Sequence, residues 1–350
     1  MQRIRKSLKK VRRRLRRTRI HTTGVLVSDD GANEGSPELR SDGGTITEER
    51  RETEQSIFQN EFVQSIPFWL PPFLLMGFFV YGAIGWNLII SLTDFASLTL
   101  PTYDPTTFDL EMYRQAWNDP NFWNAAQNTF VLLIVFTALC LVVGLALAIL
   151  IDRGIRFENA FRTIYLLPMS LSFVVTAKVW AWMYNFESGM INVTLRQFSL
   201  GFFSYHWISN PTTKLAAVIF ALIWQFSGYA MVVYLAGLRA IPDSHFEAAR
   251  VDGASTWRMY RRVIVPQLRS STMGAAVVLM VFALKAFDFL YVMFGTNPGP
   301  AADILATMMF REAFASNQWA YGSAIAIVLF AMALTVVGPY LYSEYKRGEL

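Results

Sequence analysis

The sequence predicts an all-α membrane protein with six transmembrane helices and both termini cytoplasmic. Three observations carry that prediction. Charged residues make up only 16% of the 350, against about 25% in soluble domains. Hydrophobic residues reach 53%, with 28 Phe and 10 Trp among them. The apolar residues are also gathered into six long windows, separated by basic or polar segments.

The chain divides at residue 61. Residues 1–20 carry eleven Lys or Arg and no acid, which suits a cytoplasmic tail lying on anionic lipid headgroups. On a polytopic protein such a run does not point to a nucleic-acid partner. Residues 25–61 are rich in Gly, Ser, Thr, Asp and Glu, with little to bury, so disorder is expected there. No apolar run follows the basic stretch directly, so it does not read as a signal peptide.

Residues 62–350 hold the membrane domain. A crossing needs roughly 20 mostly apolar residues, and windows 67–93, 125–151, 163–186, 215–238, 271–295 and 320–343 qualify. Four contain no charged residue, the third contains only Lys178, and the fifth contains Lys285 and Asp288. Lipid offers the backbone no hydrogen-bond partner, so each window must be helical. The single cysteine, Cys140, lies inside the second window. It excludes an internal disulfide and reads as packing. His21, His206 and His245 are isolated and lack zinc-ligand spacing.

Sidedness follows from the basic residues. Arg153, Arg156 and Arg162 lie between windows two and three, and Arg239, Arg250, Arg258, Arg261, Arg262 and Arg269 between four and five. Arg50, Arg51, Lys346 and Arg347 flank the ends. The opposite side has only Arg114, Arg196, Lys214 and Arg311. The richer side is cytoplasmic by the positive-inside rule.

A polar island, EAARVDGAS at 247–255, then falls on the cytoplasmic side. The segment 240–268 reads as two short helices and a turn. Pro242 breaks the preceding segment. Ser244 and Glu247 have capping-box spacing, Ala248 and Ala249 favour helix, and Gly253 supplies the freedom to end it. Ser255 can cap a second helix with Trp257, Tyr260 and Ile264 on one face, which Pro266 stops. An ordinary interfacial helix would explain Trp257, Tyr260 and the arginines. It would not explain Glu247, the alanines, Asp252 and Gly253 together. A small rigid helix entering a groove on a soluble partner would.

Glu247-Ala248-Ala249-Arg250, Asp252-Gly253-Ala254 and Pro266 resemble the cytoplasmic signature loop of ATP-binding-cassette importer permeases. MYRQAWNDPNFWNAAQNTF, FRTIYLLPMSLSFVVTAKVWAWMYNFESGMIN and FDFLYVMFGTNPGP resemble the carbohydrate branch, the F-type subunit of maltose- and glycerol-3-phosphate-type transporters. The resemblance runs from about residue 62 to the end. The family's Thr-Gly-Gly-Gly-Pro-like run stands here as Phe294-Gly295-Thr296-Asn297-Pro298-Gly299-Pro300.

The resemblance implies a type I importer permease fold in a prokaryotic cytoplasmic membrane. It implies a second permease subunit, similar but not identical, two ATPase subunits and an extracytoplasmic binding protein that delivers a carbohydrate. Glu247 to Asp252 would be the coupling helix, with Arg239 and Arg250 adding charge pairing to the ATPase interface. ATP and Mg would bind the partner subunits, and this chain would bind no cofactor. No phosphate-binding Gly-Lys-Ser/Thr loop occurs, and the pair Gly-Lys is absent from the sequence.

Charges inside a crossing usually face a wet cavity or the bundle interior. Counting 1.5 Å per residue from the cytoplasmic ends puts Lys178 and Lys285 about 21 Å deep, with Asp288 one turn further out. Lys285 and Asp288, at i,i+3, either neutralise each other or line the substrate path. Trp182, Tyr184, Trp224, Gln225, Tyr229 and Tyr291 add aromatic faces and planar hydrogen bonders suited to sugars, although outer aromatics also form interfacial belts. Two other classes remain. An ion-coupled secondary transporter would use Lys285 and Asp288 as its coupling pair but leaves the Glu247 loop idle. A membrane transferase would need clustered carboxylates, and Asp104, Asp109 and Glu111 have no adjacent base.

Overall fold

The computed structural model describes residues 61–95, 108–154 and 156–347. The basic and polar tail and Asp104 lie outside them. Contacts divide the chain into two units, Met1–Pro71 and Pro72–Leu350. Of the first, the described part is the opening of helix α1, Glu61–Met76.

Every regular element among the described residues is helical. After α1 come a wide π turn, Gly77–Tyr81, and α2, Gly82–Ser91. Their outward side chains are apolar, Phe78 and Phe79 among them, as lipid contact requires. A short amphipathic helix, α3 (Glu111–Asn118), then leads into α4 (Pro120–Asp152). Asp119 sets the start of α4. Its Oδ1 accepts the Asn121 N–H at 2.8 Å, with Pro120 in the first turn where no N–H is missed. Asn210 and Pro211 repeat the device at α8 (Pro211–Arg239), where Asn210 Oδ1 accepts the Thr212 N–H at 3.0 Å.

Helices α4 and α8 run side by side in the same direction. The Phe136 and Phe226 rings meet edge-on at 6.0 Å, Gly144 meets Ala230, and Asp152 meets Arg239. The contact at Gly144 is backbone-close: a Cβ there would sit 2.4 Å from the Ala230 Cβ and 2.8 Å from the Met231 nitrogen. Around this pair lies the main core, with Leu132, Phe136, Cys140, Trp180, Leu222, Phe226 and Phe289. The burial of Cys140 agrees with its reading as packing.

The third crossing departs from expectation. Helix α5 (Glu158–Leu166) with the 3-10 turn Leu167–Ser170 meets α6 (Phe173–Met183) at 98°. Pro168 lies in the 3-10 turn, and the Ser172 hydroxyl starts α6 by accepting the Val175 N–H at 3.3 Å. Window 163–186 is therefore not one straight helix, although its two arms together have the length and apolarity of a single crossing. The five others, Ser65–Ser91, Pro120–Asp152, Pro211–Arg239, Arg269–Phe294 and Trp319–Pro339, have the length and hydropathy of membrane spans. The depth count for Lys178 fails for the same reason, because rise accumulates only along one axis.

The rest of the chain closes the bundle. Helix α7 (Met190–Gln197) belongs to the connection between α6 and α8. Buried Asn192 organises that connection, taking the Tyr205 N–H and the Trp207 indole N–H, both at 3.1 Å. Beyond α8 come α9 (Asp243–Val251), α10 (Thr256–Met259), a π turn at Tyr260–Ile264 and α11 (Val265–Gln267). The fifth crossing is α12 (Arg269–Leu284) and α13 (Phe287–Phe294), and α14 (Leu305–Phe310) and α15 (Trp319–Arg347) complete the fold.

Candidate functional site

The signature segment is a preformed helix on an apolar footing. Pro242, extended at ψ 139°, starts α9 at Asp243. Ser244 is thus inside the first turn, and the expected Ser244–Glu247 capping box does not form. Gly253 ends the helix at φ +70°. Its N–H reaches the Arg250 carbonyl at 3.0 Å, and the Ala254 N–H reaches the Ala249 carbonyl at 3.0 Å, which is the Schellman arrangement. Ala249 points inward and joins a core of Met231, Leu235, Leu238, Met259, Ile264 and Leu268. Glu247, Ala248, Arg250 and Asp252 are exposed. Val251 is 87% exposed, an apolar point on a charged face that the signature pattern does not flag.

The second half of the loop corrects two expectations. Trp257 is 75% exposed while Ile264 is fully buried, so they do not share a face. The π turn at Tyr260–Ile264 widens the coil and rotates the residues beyond it. Pro266 does not stop the helix at once. It sits in α11, which ends after Gln267 at non-helical Leu268. His245, isolated in sequence, has its Nδ1 3.3 Å from the Gln267 amide.

Between this loop and the ends of α4 and α8 lies a charged cleft of 660 Å³, lined by Asp152, Arg153, Arg239, Asp243, Glu247 and Arg250 among others. Arg153, Arg239 and Arg250, all assigned to one side by sequence, line this one cleft. Arg239 already has acidic neighbours within the chain, while its side chain remains 48% exposed. Its guanidinium is paired with Glu158 and stands 4.0 Å from Asp152, both in this chain.

The path candidates fall into three groups. Tyr184 and Gln225 are buried: the Tyr184 hydroxyl donates to the Ala217 carbonyl at 2.9 Å, and the Gln225 amide N–H donates to the Leu171 carbonyl at 2.9 Å while its buried Oε1 has no hydrogen-bond partner among the described residues. Trp224 meets Trp180 edge-on at 5.7 Å, Tyr184 lies 5.2 Å from the same indole, and Tyr229 packs half-buried on the main core. Lys178, Trp182, Lys285, Asp288 and Tyr291 are exposed on the bundle surface, with Tyr291 stacked at 5.4 Å on Phe287.

Lys285 and Asp288 do not form the expected ion pair. Lys285 and Ala286 leave helical geometry at ψ 8° and 10°, so the two side chains are no longer one turn apart on a common axis. The internal pair that a secondary transporter would need is not assembled.

A polar network at the opposite end was not among the residues singled out by sequence. Arg311 Nη1 lies 2.8 Å from Asp303 Oδ2, and its Nε lies 3.2 Å from Glu312. The Thr307 hydroxyl donates to Asp303 at 2.6 Å. Burial works against the Arg311 charge, but Asp303 and Glu312 outweigh it and hold the guanidinium above its ordinary value. The Asn128 amide ties in the Pro300 and Asp303 carbonyls at 2.8 and 2.9 Å. Lys214 donates to the Pro298 carbonyl and sits 4.4 Å over the Phe294 ring, so the run 294–300 is pinned at both ends. Pro300, Asp303, Arg311 and Glu312 border a cavity of 290 Å³ with Asp119, Asn121 and Asn124. The clue was the spacing of Asp303, Thr307 and Arg311, four residues apart, with Asp303 just ahead of α14 and Arg311 just past its end.

A broken third crossing and an exposed, capped helix between the fourth and fifth define a type I importer permease. The fold agrees with that of a solved bacterial alginate ABC transporter in complex with an alginate pentasaccharide-bound periplasmic protein, at a TM-score of 0.69 and 20% identity over 83% of this chain and 95% of that one.

The chain belongs to the family described as binding-protein-dependent transport system inner membrane component, which matches residues 140–344. It is a membrane-embedded permease subunit of an ATP-binding-cassette importer. It is 59% identical to the xylose/arabinose import permease protein XacH of Haloferax volcanii, over 83% of this chain and 91% of that one. A probable ABC transporter permease protein of Pyrococcus horikoshii is 50% identical over 81% of this chain and 96% of its own.

Proposed function

We propose that this subunit forms half of a membrane path for a small sugar, with pentoses the first class to test. Family membership and the identity to a xylose/arabinose permease support that substrate class. A second permease chain completes the path, an extracytoplasmic binding protein delivers the sugar, and two ATPase subunits bind ATP and Mg. This chain contributes no nucleotide site of its own. It resides in a prokaryotic cytoplasmic membrane, with both ends of the six-crossing segment inside the cell.

The observation that carries the reading is the exposed face of α9, with Glu247, Ala248 and Val251 outward and Ala249 anchored below. An apolar point between charges fits a groove that must release and regrip, and the apolar footing passes displacement on to α8 and α12. The test is the purified complex with its ATPase and binding-protein partners. Pentose-loaded binding protein should stimulate ATP hydrolysis, and the isolated chain should show none. Turnover by the chain alone, or ATP-independent uptake in vesicles containing only this chain, would sink the proposal.

A further inference from the structure

Helix α8 grips the bent third crossing at three levels. At its end, Arg239 pairs with Glu158 at the start of α5, and Arg162 reaches the same Glu158 oxygen at 2.9 Å. In its middle, Gly228 lies against the Tyr165 backbone so closely that a Cβ would stand 1.9 Å from the carbonyl oxygen. Three residues back, buried Gln225 donates to the Leu171 carbonyl, in the break between the arms. A chain break of this kind leaves carbonyls without helical donors, and Gln225 supplies one from another helix. The contacts are ionic, backbone-steric and hydrogen-bonding, so together they resist sliding, separation and rotation.

Only Ala240, Ile241 and Pro242 separate α8 from α9, and Leu238, Ala249 and Met259 share one core. We infer that α9, α8 and the α5 arm with its elbow move as one body. Arg239, Glu158, Gln225 and Gly228 are then positioning residues for coupling: they carry displacement of the docking helix to the bent crossing. The inference rests on the importer reading above. It gives Arg239 a role inside the chain instead of at the ATPase surface.

The complex with Cys140→Ser as background tests the inference. Glu158→Cys with Arg239→Cys removes the ion pair, and sugar moved per ATP should fall at least about fivefold, the low end of a coupling between sites. Bridging the two thiols with a bifunctional reagent of side-chain length should restore it. The inference is overturned if the unbridged pair couples normally. It is equally overturned if bridging leaves uptake low or blocks it, because helices that must move apart cannot work when tied.

A measurement free of both substitutions guards against misfolding. Spin labels at Asn159 and Ser244, both exposed, should hold their separation to within about 2 Å with and without nucleotide, the scale of small helix shifts. A larger change overturns the inference. Failure of the importer reading would look different, because the unmodified complex would then show no sugar-stimulated ATPase at all.

Discussion

Ala254 donates its backbone N–H to the carbonyl of Ala249, 3.0 Å away, across a glycine held at φ +70°. That closure fixes where the docking helix ends, and it explains the Gly in the signature. A Cβ at Gly253 would meet nothing within 4 Å, so the requirement is conformational. Gly253→Ala should cost about 1 kcal/mol of local stability and reduce uptake modestly. Gly253→Pro cannot adopt the angle and deletes the N–H to Arg250. Uptake should vanish with the chain still in the membrane, as immunoblotting of membranes would establish. Normal uptake in that variant would argue strongly against docking through α9.

Glu247 is exposed and makes no ion pair among the described residues. Glu247→Lys should therefore leave the melting temperature of the purified chain unchanged while abolishing sugar-stimulated ATPase in the complex. Equal loss of both would make the side chain structural.

Arg311 and Asp303 form a largely buried ion pair, 19% and 8% exposed at the side chains. Arg311→Ala strands the carboxylate with only the Thr307 hydroxyl and should destabilise by about 3 kcal/mol. Thermal unfolding in detergent checks this. Because the folded-state guanidinium sits above its ordinary value, its contribution is complete below that value and fades only in strong alkali. Raising the pH from about 7 to about 10 should leave the advantage of wild type over Arg311→Ala intact.

Two glycines on α4 and α8 should respond unequally. A Cβ at Gly144 meets backbone, the Met231 nitrogen at 2.8 Å, as well as the Ala230 Cβ. At Gly237 the nearest atom, at 2.4 Å, is the Ser271 hydroxyl oxygen, which can rotate away. Gly144→Ala should cost upward of about 1–3 kcal/mol, and Gly237→Ala clearly less. Equal melting temperatures would contradict the α4–α8 packing.

Lys285 and Asp288 should behave as independent charges. The effects of Lys285→Ala and Asp288→Asn on membrane abundance should add within about 0.5 kcal/mol-equivalent. Asp288→Asn should alter transport rate more than abundance. Unchanged affinity and rate would demote Asp288 to a surface charge.

Six apolar windows were legible because lipid imposes length and composition on any crossing. The elbow was not, since hydropathy carries no direction. The usable clue was local: Pro168 followed by the helix-starting Ser172. Gly253 was legible because few other residues tolerate its angle, whereas the expected Ser244 cap fails because Pro242 sets the start two residues earlier. The π turn at Tyr260–Ile264 has no compositional mark, so the expected common face of Trp257 and Ile264 failed. Arg311 counted only as a charge on the far side, although Thr307 and Asp303 stand four and eight residues before it.

The elbow has a further consequence for the bilayer. With 98° between its arms, one arm must lie nearly flat whenever the other stands upright. At 1.5 Å per residue the arm Glu158–Ser170 reaches about 20 Å, and a hydrocarbon slab is about 30 Å thick. That arm alone therefore falls short of the slab, and a full crossing at this point needs the second arm, Phe173–Met183, and the turn between them.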